Sequence, residues 1–91
     1  HYFDPHMPYE ARQPWVTTFA PDFAERRAEY PAGLDAGAVF RLPRTIDTYA
    51  KLRALYLSEV RYVDHFLRLL NDKLHFDDPE VLLIVTADHG E

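Results

Sequence analysis

The segment Val81 to Thr86, VLLIVT, is apolar at each position from 81 to 85 and rich in β-branched residues. Successive side chains of a strand point to opposite faces, so both faces of this segment are apolar, the pattern of a parallel strand covered on both sides. One helix covers only one face of a strand. The segment therefore predicts at least one neighbouring strand and a second helical layer, supplied from elsewhere.

Ahead of it, Tyr49, Leu52, Tyr56, Val60, Val63, Leu67, Leu70 and Leu74 recur at intervals of three and four. That spacing predicts a long amphipathic helix from about Thr45 to Leu74. Thr45 suits the N-cap, Pro43 can precede a helix but not sit inside it, and Pro79 lies beyond the expected end. At 1.5 Å per residue such a helix runs roughly 45 Å, enough to cross a sheet. The remaining face holds Lys51, Arg53, Glu59, Arg61, Arg68, Asp72 and Lys73, of mixed sign, and reads as solvated surface. Helix followed by strand fits a βαβ crossover whose first strand ends near His1. The expected fold class is α/β, part of a doubly wound, mostly parallel sheet with helices on both faces.

Between the two ends, Ala11 to Pro43 carries four prolines and scattered aromatics with no sustained period. It reads as a long surface excursion with one short helix across Asp22 to Glu29. Stretches of this length without regular structure are often functional, although a plain packed insertion fits the same text.

The 91 residues, 47% of them hydrophobic, suffice for one small domain and exclude two. The formal charge is −5 and no basic stripe is present, which argues against a nucleic-acid partner. The longest apolar run falls far short of the ~20 residues of a membrane span, and no signal-peptide pattern occurs. Residue 1 is His and leads straight into a motif-like string, while the other end stops inside one. The chain thus reads as the interior of a larger domain, which leaves compartment, redox context and oligomeric state open.

Ligands of open α/β sheets gather beyond the carboxyl ends of strands, and His6 and the pair Asp88-His89 fall just past two such expected ends. Asp offers a hard charged oxygen and neutral His a nitrogen, so neighbours on a strand-end turn can both reach one divalent ion, with Gly90 easing the turn. A bare Asp-His-Gly also fits an Asp capping a following helix beside a surface His. His6, held between Pro5 and Met7-Pro8, suits a side chain that exchanges a proton from a fixed orientation, and equally a structural loop His. Asp4 suits an Asx turn or a partner for His6. The spacing of His1 and His6 carries no metal-ligand meaning in a loop, and His65 and His75 read as structural.

Taken together, HYFDPHMPY at the start and the Tyr-x-x-Glu-Val-x-x-Val-Asp helix leading to VLLIVTADHGE at the end resemble the sulfatase family of the alkaline phosphatase-like superfamily. The resemblance covers both ends, and the stretch from Ala11 to Pro43 lies outside it. It implies that residues 1–91 belong to one sulfatase-like catalytic domain whose reaction is hydrolysis of a small-molecule sulfate ester. It further implies that Asp88 and His89 bind a divalent cation, commonly calcium, with manganese, zinc or magnesium as alternatives. His6 is implied to contact the sulfate or its leaving oxygen. The nucleophile motif that matures to formylglycine, and the early Asp pair that completes the metal site, are absent from these residues, so the 91 residues alone are expected to be inactive. A phosphoesterase or phosphonate monoester hydrolase of the same superfamily, or a non-catalytic relative, is the alternative, and Asp4 before Pro5-His6 favours the sulfatase branch.

Overall fold

The structure, a computed structural model, describes residues 5–90; His1, Asp4 and Glu91 lie outside them. Its framework is one long helix, with short helical turns folded against its first half. In chain order these are α1 (Val16–Phe19), α2 (Phe23–Arg26) continued by a 3-10 turn (Arg27–Glu29), α3 (Ala36–Phe40) and α4 (Ile46–Leu74).

Helix α4 starts where its sequence provides a cap: the Thr45 hydroxyl accepts the Thr48 N–H at 3.1 Å, and Asp47 stands in the first turn. No Gly or Pro interrupts its 29 residues. It ends at His75, which takes the left-handed conformation (φ 51°), with its N–H on the Asn71 carbonyl at 2.7 Å. The Asn71 side chain adds a second closure by accepting the Phe76 N–H at 2.9 Å. α3 is capped in the same manner by Asp35, which accepts the Ala38 N–H at 2.8 Å.

The core is Val16, Ala20 and Phe23 from the short helices, against Ala54 and Leu55 of α4. The 11–43 stretch thus supplies three of these five core residues. Tyr9, Ala11, Tyr30 and Ala32 pack around them. A second layer is aromatic: Trp15 meets Tyr62 and His65 with ring centroids 5.6 and 5.2 Å apart, and Phe66 closes on both. His65 is accordingly a packing residue.

The face that α4 buries is not the one its apolar spacing selects. Lys51, Ala54, Leu55, Ser58 and Glu59 are buried, while Tyr49, Val60, Leu67, Leu70 and Leu74 are exposed. At about 100° per residue the apolar stripe lies roughly a third of a turn from the buried face. Two charged residues expected in solvent are therefore inside. Lys51 is held by Asp47 at 2.8 Å and Glu29 at 3.2 Å, and Glu29 in turn grips Arg26 at 2.6 Å. Arg26 also pairs with Asp22, which accepts the Tyr30 phenol at 2.6 Å. The Arg26 bonds, then those of Lys51, pull the Glu29 carboxyl down to about 2. Burial, reinforced by the bond to Asp22, pushes the Tyr30 phenol up to about 12.

The expected α/β sheet is absent: no strand occurs among the described residues. Val81 to Thr86 has no regular structure and stands open to solvent, with Leu82 at 83%, Ile84 at 76% and Val85 at 78% exposure. The physical reason is that a strand is a pairing, not a local conformation. Its N–H and C=O groups require a ladder, and a two-sided apolar pattern requires two covering layers. The rest of the described chain is helix, turn and loop, and presents no edge to pair with.

Replacing Leu55 by Ala should lower unfolding stability by about 2–5 kcal/mol, read from a denaturant midpoint, because the side chain is wholly buried. The Glu29 carboxyl, ordinarily near 4.5, is depressed to about 2 when folded, so its contribution is complete above roughly pH 4.5 and is lost as pH falls towards 2. Glu29→Gln should therefore flatten the acid limb of a stability–pH profile, and an unaltered limb would remove this network as its source.

Candidate functional site

The segment from Pro5 to Arg12 lies across the middle of α4 and is bonded to it at several points. The Glu10 N–H donates to Glu59 Oε1 at 2.7 Å, and the Arg12 N–H to Ser58 Oγ at 3.3 Å. The Arg12 guanidinium stands 3.8 Å from the same Glu59 oxygen and lies over the Tyr62 ring, 4.7 Å from its centroid. The Tyr9 ring sits edge-on to Tyr56, and its carbonyl accepts the Gly33 N–H at 2.8 Å. Gly33 has φ +72°, a conformation that favours glycine over residues with a Cβ.

His6 follows this clamp outward and is exposed. Its Nδ1 lies 2.7 Å from the Met7 carbonyl. A carbonyl only accepts, so Nδ1 carries the proton and Nε2 presents the other face of the ring.

The other candidates arrive from the far end of α4. Beyond Leu74 the chain turns through Asp78, whose carbonyl accepts the Val81 N–H at 2.9 Å, and then continues without regular structure. At its end the His89 and His6 rings meet edge-to-face at 5.7 Å. The two residues are 83 positions apart in sequence.

Asp88 Oδ1 accepts the His89 N–H at 3.0 Å, and the His89 Nδ1 contacts the Gly90 carbonyl at 2.9 Å, which again puts the proton on Nδ1. His89 Nε2 stands 3.9 Å from Asp88 Oδ1. Two ligands that each sit about 2.0–2.5 Å from one ion are at most about 5 Å apart, so this oxygen–nitrogen pair fits a shared divalent cation. A histidine ligand whose second ring nitrogen is fixed by a carbonyl is the usual arrangement at metal sites. The pair is short of a full ligand set, and no group of three or more His, Cys, Asp or Glu suited to a metal occurs among the described residues.

Glu59 and Ser58, which anchor the His6 segment, stand outside the candidates chosen from sequence. The signal for Glu59 is its place as the Glu of the Tyr-x-x-Glu-Val-x-x-Val-Asp pattern, with small Ala54 and Ser58 on the same helix face. A cavity of about 290 Å³ lies between α3 and the start of α4, lined by Val39, Phe40, Pro43, Arg44, Tyr49 and Leu52 among others. None of the candidate residues His6, Asp88 and His89 is among the lining residues named for it.

The sequence profile of the sulfatase family matches residues 1–91, and the chain belongs to that family, a family of hydrolases. Its substrates are small molecules. No solved structure matches the chain, and no helix among the described residues is long and apolar enough to cross a membrane.

Nitrogen NMR of His6 and His89 in the neutral range should show Nδ1-protonated rings; the opposite tautomer at His6 would mean that Met7 does not hold it.

Proposed function

We propose that the protein acts in hydrolysis of a sulfate ester at a site where Asp88 and His89 hold a divalent cation, calcium first among the candidates, and His6 contacts the substrate. The observation that carries this reading is the meeting of His6 and His89, placed on two segments at opposite ends of a family-matched sequence. When bound, the cation supplies positive charge to the sulfate oxygens.

The chain's own residues have three tasks. Asp88 contributes a carboxylate oxygen and His89 its Nε2. His6, with Nδ1 committed to Met7, has Nε2 for the substrate; a proton carried there hydrogen-bonds the ester oxygen and passes to it as the sulfur–oxygen bond breaks. Leaving groups that are strongly basic alkoxides need that proton most. The nucleophile is expected outside these residues, which lack the motif that matures to formylglycine in the sulfatase family.

In the full-length protein, Asp88→Ala or His89→Ala should abolish stoichiometric metal binding, read by elemental analysis, and reduce turnover by orders of magnitude; unchanged metal content would sink the assignment. His6→Ala should cost about 10²–10⁴-fold on esters with poor leaving groups and much less on activated aryl sulfates. Equal losses on both would count against proton donation. Faster turnover of a phosphate than of a sulfate ester would move the protein to the phosphoesterase branch.

A further inference from the structure

We propose that Glu59 is a positioning residue for His6: a buried carboxylate on α4 that, by accepting the Glu10 N–H, sets where the His6 segment stands. The proposal rests on the role of His6 given above.

Glu59 is 1% exposed, in the middle of a helix, on a buried face that also carries Lys51, Ala54, Leu55 and Ser58. Burying a carboxylate is costly unless it is paired and hydrogen-bonded, and an apolar side chain of similar size would fill the same space without that penalty. What the carboxylate adds is direction. It accepts the Glu10 N–H at 2.7 Å, the short length of a charge-assisted bond, and stands 3.8 Å from the Arg12 guanidinium.

Its neighbour Ser58, fully buried, donates its hydroxyl proton to the Leu55 carbonyl of its own helix at 2.7 Å and accepts the Arg12 N–H at 3.3 Å. Two adjacent side chains of α4 therefore each accept a backbone N–H of the segment, from residues 10 and 12. Between Glu10 and His6 stand only Tyr9, pinned by Tyr56 and Gly33, and Met7-Pro8, whose ring fixes φ. A displacement at Glu59 has few torsions in which to dissipate before it reaches His6.

Two substitutions in the full-length protein separate positioning from simple packing. Glu59→Gln keeps length, shape and an acceptor for the Glu10 N–H. Glu59→Asp keeps the charge but withdraws the acceptor by one methylene. With p-nitrocatechol sulfate and a less activated alkyl sulfate as probes, Gln should retain kcat within about threefold, while Asp should lose about tenfold or more on the alkyl ester. In a His6→Ala background the Asp substitution should then cost almost nothing further, because the group it misplaces is gone. Hydrogen exchange at the Glu10 amide should be slow in wild type and Gln and fast in Asp.

Equal losses from Asp with and without His6 would show a merely structural effect and overturn the proposal. A folded Gln variant that loses tenfold would overturn it as well, whether or not the Asp variant folds. Unchanged turnover in His6→Ala alone would remove the His6 reading, and the positioning role with it.

Discussion

The hydrogen bond from the Glu10 amide to the buried Glu59 carboxylate is the contact on which the arrangement depends. It joins residues 49 apart, and around it close the Ser58 bonds, the Arg12 pair and the stacking of Arg12 on Tyr62. A carboxylate out of water has to be satisfied by donors near it, so α4 and the segment before α1 cannot separate without leaving a charge stranded. The apolar core of Val16, Ala20, Phe23, Ala54 and Leu55 lies beside this contact and supplies cohesion without direction. His6 inherits its position from the polar contact.

Much of the helical framework is legible in the sequence. Thr45 caps α4, the three-and-four spacing carries it to Leu74, and His65 is a packing residue, as the text alone suggests. Which face of α4 goes inside is not legible. Hydrophobic periodicity selects the stripe through Val60, Leu67, Leu70 and Leu74, yet Lys51 and Glu59 are inside and that stripe is out. Periodicity weighs transfer from water and takes no account of partners. Asp47 and Glu29 for Lys51, and the Glu10 amide for Glu59, are what make burial of charge tolerable, and nothing in a local pattern reveals them.

The sheet failed for a related reason. VLLIVT has the composition of a strand buried on both sides, but composition states only what a segment could pair with. Among the described residues Val81 to Thr86 has no ladder and remains exposed. Past its end the His89 ring meets that of His6. The three candidate residues come from motifs, whereas Glu59, which holds the His6 segment, belongs to the Tyr-x-x-Glu-Val-x-x-Val-Asp pattern of α4 yet sits among charges that look like solvated surface.

The central claim is that a cation held by Asp88 and His89 lies beside His6. The most direct measurement is paramagnetic relaxation in the full-length protein loaded with manganese. The account predicts that the His6 ring resonances broaden on loading and that Asp88→Ala restores them. Sharp His6 resonances in protein shown to hold stoichiometric manganese would contradict it.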